Sequence, residues 1–183
     1  NLPTGIVSGN LLLVWFRHAA QAAGRIRWPA GWAELFQGVL EASGDITAAA
    51  YRQADGSEGS TITLAGEIAA LANAKFAALT WRITGHSDPA TQAPQFSIQT
   101  SGASTTPDPG ALTPTGGAKD YLWIWAGGWE GEQTSPPVGT PTNYSSALGA
   151  SSGIAGSPAS NCRVASASRT LNAASEDPGS WTI

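Results

Sequence analysis

Residues 149–153, GASSG, match the nucleophile elbow G-x-S-x-G, in which a serine on a sharp strand-to-helix turn meets a base and an oxyanion hole. That chemistry needs a strand before the turn, a helix after it, and a His and a carboxylate within reach of the hydroxyl. Here the five residues sit inside a tract of Gly, Ser, Thr, Pro and Ala, 130–158, with no strand predicted before them and no helix after. No acyl transfer is expected. His18 ends an apolar run and His86 falls in a loop, so each is read as a polar rim residue and not as a base. The single cysteine, Cys162, is read as a small core residue, since an unpaired Cys behaves as a buried hydrophobe.

Carboxylates gather at Asp55 and Glu58, at Glu130 and Glu132, and at Glu176 and Asp177. Ca²⁺ is the cation such loop oxygens would suit, but a tight site takes about six to eight of them and no EF-hand spacing is present. Solvation in loops is the simpler reading, and no cofactor is expected. Nor does any pair fix the separation that a glycosidase needs between its two carboxyl groups. The triplet Asn143-Tyr144-Ser145 fits a glycosylation acceptor and is read as a chance match.

Eight Trp are the strongest remaining signal, because indole both stacks on sugar faces and anchors protein interfaces. Trp28, Trp32 and Trp129 stand beside turns, and Trp181 stands near the end of the chain. These four are the candidate ligand or interface residues, with core and subunit contact favoured over a sugar platform.

The elements that would position them are strands. Residues 120–129, DYLWIWAGGW, place Tyr121, Trp123 and Trp125 on one face and Leu122, Ile124 and Ala126 on the other. Both faces are apolar, which predicts a central strand of a sheet covered on both sides. Alternation or a short apolar run also predicts strands at 10–18, 25–28, 32–40, 45–52, 60–64, 75–84, 95–100 and 163–171. The segment 60–64, STITL, reads as one arm of a hairpin. Trp28-Pro29-Ala30-Gly31-Trp32 is a turn, with Pro presetting φ and Gly able to take φ > 0. A helical turn is allowed at 19–24 and one short Ala-rich helix at 66–74. The tracts 85–118 and 130–158 read as long surface connections. At 180–183 a strand should pair with a neighbour and bury Trp181; it is so short that the chain is expected to continue or to borrow the next strand.

Composition sets the class. The chain of 183 residues is 42% hydrophobic, 12% charged, with 22 Gly and 12 Pro, against a usual charged share of about 25%. A neutral polar coat with many turns predicts an all-β fold of about nine strands with long Gly/Ser/Pro-rich loops. The form expected is a single jelly-roll-like β-sandwich domain over 1–183. A net charge of −4 with nine scattered Lys and Arg leaves no basic stripe for nucleic acid. No run of about 18 apolar residues suggests a membrane span. There is no Met, so Asn1 is not expected to be a translation start.

The stretch 165–182, ASASRTLNAASEDPGSWT, together with IRWPAGW at 26–32, AYRQADG at 50–56 and FAALTWRI at 76–83, resembles β-rich virion accessory proteins of tailed phages. The resemblance covers most of the chain. It implies a capsid decoration, head fibre or tail-associated role in the virion, with no catalytic residues. It also implies contacts to other virion proteins, a homo-oligomer, and adhesion to a host-surface glycan. A carbohydrate-binding or receptor-binding lectin-like module that uses surface Trp is the alternative.

Overall fold

Apolar side chains at alternate positions are buried when their strands lie in sheets, and the described residues solve this with sheets. The computed structural model describes residues 1–19, 25–39, 45–66, 75–98, 106–131, 139–153 and 161–182. Among them lie β1 (Leu11–Ala19), β2 (Ile26–Arg27), β3 (Ala33–Val39), β4 (Ile46–Gln53), β5 (Ala65–Gly66), β6 (Lys75–Ile83), β7 (Lys119–Glu130), β8 (Ser145–Ser151) and β9 (Cys162–Ala173). The described residues contain no helix, and the protein is all-β. An antiparallel four-stranded sheet runs β3-β4-β1-β6, a second of three strands runs β7-β9-β8, and β2 pairs with β5.

β1 explains the first sheet. It lies between β4 and β6, with Phe16 opposite Ala48 and Ala78 and with Trp15 opposite Ala49 and Leu79. Ala48, Ala49 and Ala78 make room for the large rings on the middle strand. One face, through Val14 and Phe16, packs with Ile26, Ile46 and Ala48, and Trp28, Trp32, Ile62 and Leu64 lie against that cluster. The other face meets the three-stranded sheet, where Ala77 and Leu79 of β6 pack on Cys162 and Val164 of β9, flanked by Trp15 and Trp81.

The two sheets approach closely at Gly128, a position without a side chain. A Cβ on Gly128 of β7 would lie 2.7 Å from Cδ of Arg17. Arg17 is 1% exposed, donates to Asp45 at 2.9 Å and to Thr47 Oγ1 at 3.2 Å, and so holds a buried ion pair at this contact. Such a pair tolerates burial because its charges are matched and hydrogen-bonded.

Several expectations are overturned. The Trp-rich β7 is an edge strand, and the Ala/Ser-rich β9 is the centre of its sheet. Apolarity on two faces reports what the side chains touch; it does not report whether both backbone edges are paired. STITL turns Ile62 and Leu64 to the core but joins no ladder, and the short β5 begins only after it. Residues 95–98 likewise form no strand; the Gln95 amide instead bonds the backbone and hydroxyl of Thr115. β8 lies inside the tract expected to be loop, its residues mostly exposed and its place set by pairing with β9. No ladder forms at 180–182, where the Trp181 N–H donates to the Pro107 carbonyl at 3.0 Å. The helical turn expected at 19–24 lies outside the described residues beyond Ala19, and the helix at 66–74 does so beyond Gly66, which ends β5.

Candidate functional site

The turn at 28–32 forms as its residue types require. The Trp32 N–H donates to the Pro29 carbonyl at 3.2 Å and Gly31 takes φ +86°. This brings the half-buried rings of Trp28 and Trp32 to 6.2 Å with their planes 28° apart. Arg52 closes the turn from below, its guanidinium against Gly31 and shared with Asp55 at 2.6 Å and Glu58 at 3.2 Å. Those carboxylates are thus committed to Arg52 and to loop N–H groups, and the Ser57 bonds hold the Asp55 carboxyl below its ordinary pKa.

Trp129 and Trp181 belong elsewhere. On β7 the odd-numbered residues Trp123, Trp125 and Trp129 share the face turned away from the four-stranded sheet, since Gly128 of the other face meets Arg17. Trp129 is half-buried, stacked 6.0 Å from Trp125 and capped by the Arg163 guanidinium at 5.2 Å. Trp181 is fully buried, 4.1 Å from Trp125 in a cluster with Trp123 and Tyr144. It is a core residue of this chain and offers no surface to a ligand. Trp28 and Trp32 lie on the outer side of one sheet and Trp129 on the outer side of the other, so the three form no common platform.

The sites with chemical potential resolve in the same way. His18 is 1% exposed and stacked on Phe16, not at a rim, and burial pushes its imidazole below the ordinary pKa. Cys162 is fully buried, its Sγ against the Arg17 carbonyl, and burial raises the thiol pKa. A raised thiol pKa removes the thiolate that a nucleophile would need. A strand does precede GASSG, contrary to expectation, but Ser151 Oγ accepts from the Gly153 N–H and Ser152 Oγ from the Cys162 N–H. The helix that an elbow requires would fall at 154–160, outside the described residues. Glu176 pairs with Arg169 at 2.9 Å. Among the described residues no three His, Cys, Asp or Glu side chains gather as a metal would need.

What the structure adds is a cleft of about 570 Å³ beside β7. Its floor is the inner face of the four-stranded sheet, with Leu13, Trp15, Phe36, Ala49 and Trp81. Its wall is β7 itself, with Leu122 and Ile124 of the inner face and Trp123 and Trp125 of the outer one, so the cleft wraps the strand's edge; residues 92–98 flank the opposite side, and Lys119, Asp120 and Glu176 stand at its margins. The origin is an offset between sheets. β8 and β9 lie against β6, β9 and β7 lie against β1, and no described strand covers β4 and β3 comparably, although Phe96 reaches Phe36 of β3 at 6.3 Å between ring centroids. Trp15 Nε1, buried and without a hydrogen-bond partner, belongs to this floor. Leu122 remains 47% exposed and Phe96 50% exposed at the mouth. The volume lies within the range of about 300–1,000 Å³ typical of ligand sites.

The edge of β7 borders this cleft. β7 pairs with β9 without a register break from Lys119 opposite Ala173 to Glu130 opposite Cys162, and with no described strand on its other side. The remaining signal was present in the sequence as the apolar second face of 120–129, yet a cleft depends on how far the sheets overlap, which no local pattern encodes. Comparison with known protein families, curated proteins and solved structures finds no match.

Proposed function

We propose that this protein is a non-catalytic building block that works through protein–protein contacts, in the form of a β-sandwich whose second sheet stops short of covering the first. The observation that carries this reading is the 12-residue β7 edge, without a partner strand among the described residues and bordered by a largely apolar cleft. Unprotected edges of this length invite another chain and are ordinarily blunted by bulges, Pro or charge. Of the other strands at sheet ends, β3 and β8 carry such a break, at Glu34/Phe36 and at Ser145/Leu148, whereas the shorter β6 does not. The winding proposed is simpler than a jelly roll, since β1, β3, β4 and β6 stay in one sheet and β7 to β9 in the other.

The virion setting rests on the resemblance of 165–182, 26–32, 50–56 and 76–83 and on the neutral polar coat. Its test is co-sedimentation of the purified chain with tailed-phage particles, together with its mass in solution by light scattering. Binding to particles or formation of a defined oligomer supports the reading. A protein that stays monomeric and sediments with no particle refutes it. A second reading, glycan stacking on Trp28 and Trp32, is favoured by their near-parallel rings at one turn. A glycan array with no hits for the wild type removes it.

A further inference from the structure

We infer that the edge of β7, unpaired among the described residues, takes up an extended, uncharged peptide segment of a partner protein as an added strand lying over β4. This rests on the contact role proposed above and names the chemistry of the partner.

The first support is the hydrogen-bonding row itself. Every second residue of a strand turns its N–H and C=O to the same edge, so β7 between Tyr121 and Gly127 presents alternating donors and acceptors to the cleft. Only another polypeptide backbone repeats at that spacing, and a rigid small ligand meets two or three of these groups at most. The second support is the absence of devices against pairing. β7 has no bulge and no Pro, and its charges, Lys119, Asp120 and Glu130, stand at the two ends. Edge pairing of this kind draws affinity from the backbone and specificity from pockets that receive alternate side chains.

Charge complementarity sets the composition of the segment. The floor and wall beside the middle of β7 carry Trp15, Phe36, Ala49, Leu122 and Ile124, none of them charged. A charge placed there would lose its water with nothing opposite it. The accepted stretch is therefore neutral, with apolar side chains turned toward Ala49 and the Phe36–Phe96 pair, and it extends for about six residues, an ordinary strand length. Any charges it carries belong beyond its ends, near Lys119 and Asp120 or near Glu130.

The sheet offset also decides against a second copy joined edge to edge through β7. Antiparallel pairing of β7 with its own copy needs a two-fold axis perpendicular to the sheet, which leaves both four-stranded sheets on the same side. Each copy has β1 beneath β7 and carries β4 and β3 out beyond it. The β4 and β3 strands of one copy would then occupy the space of β1 and β6 of the other. A single extended segment fits over β4, beside residues 92–98, where a whole sheet edge does not.

The test uses the isotopically labelled full chain and a small library of six-residue peptides, alternating Val, Ile, Leu or Phe with Thr, Ser or Gln and capped by solubilising Lys. We expect saturable binding, slowed hydrogen exchange at alternate amides between Tyr121 and Gly127, and at least a tenfold loss of affinity when one edge of the peptide is N-methylated. Methylation of the opposite edge should leave affinity unchanged. Leu122→Lys, at an exposed position, should weaken binding at least tenfold while the amide spectrum of β1 and β4 stays native. No binder at about 1 mM peptide, binders that leave β7 exchange unaltered, or equal loss from methylating either edge would each overturn the inference. So would decanoate filling the cleft and excluding the peptides with no protection at β7. If the chain joins particles or oligomers but peptides ignore β7, the contact role stands and this inference alone fails; if peptides protect β7 but the chain joins nothing, the reverse holds.

Discussion

Removal of the Trp181 side chain tests the packing on the far side of the second sheet. Trp181 is fully buried against Trp125 at 4.1 Å and shares its cluster with Trp123, Tyr144, Ala165 and Ala167. It sits on a segment without ladder pairing, held by the Leu112–Glu176 backbone bonds at 2.8 and 3.0 Å, by Arg169–Glu176 at 2.9 Å and by one bond to Pro107. Loss of a fully buried Trp to Ala ordinarily costs about 3–5 kcal/mol, more where the surroundings cannot close on the cavity. The anchors at Glu176 survive the substitution, while residues 180–182 are free to relax, so the lower part of that range, about 3 kcal/mol, is expected for Trp181→Ala. With a urea slope of about 2 kcal/mol per M, the unfolding midpoint falls by about 1.5 M at unchanged slope. Exposure of Trp125 should also move the native fluorescence to longer wavelength. Trp181→Phe should recover more than half of the loss. A penalty below about 1 kcal/mol, the size of an ordinary surface change, together with unshifted fluorescence, would show that the C-terminal segment does not pack on Trp125.

Gly128→Ala places a Cβ 2.7 Å from Arg17 Cδ, and Arg17 is fixed by Asp45. Overpacking of this kind costs about 1–3 kcal/mol, read from urea unfolding, and Gly131→Ala, with nothing within 4 Å but φ +126°, should differ by responding to backbone strain alone. Burial depresses the His18 pKa in the folded state, so the folded protein refuses a proton that the unfolded chain accepts. Stability is then full above the unfolded value of about 6.5 and falls by up to about 1.4 kcal/mol per pH unit as pH drops below it toward the folded value. His18→Phe should remove that part of the slope in paired denaturation curves at pH 7 and pH 5, and an unchanged slope would refute it. Cys162 should resist a thiol reagent in the native protein and react within the unfolding transition, since its thiol is fully buried with a raised pKa; labelling at native rates equal to those of free thiol would contradict the placement.

The strands that could be read from sequence are those whose own side chains carry the signal. β1, β4, β6 and β7 alternate or run apolar, and their positions follow to within a residue or two. β8 could not be read, because Ser145 to Ser151 is held by the backbone of β9 and contributes little apolar surface of its own. STITL and QFSIQT err in the opposite direction. Their alternation correctly turns Ile62 and Leu64 to the core, but a side-chain pattern records which residues face inward and leaves open whether the backbone has a neighbour to pair with.

The exchange of centre and edge between β9 and β7 has the same origin, and it bears directly on the site. Trp-rich β7 satisfies both of its faces, one on Trp181 and Tyr144 and the other toward the cleft, without needing strands on both edges. Small residues on β9 do the reverse: Ala165, Ala167 and Ser166 bring little apolar area, yet they let a strand lie between two others, while Cys162 and Val164 on its inner face meet Ala77 and Leu79 of β6. The count of Trp therefore signalled that a large apolar surface existed but could not place it. Placement came from where glycine and alanine permit the sheets to touch, and the cleft begins where Leu122, Ile124, Trp15 and Trp81 hold them apart. If that division is correct, enlarging the contact at Gly128 should widen the cleft and weaken peptide capture at β7, even though Gly128 does not line it.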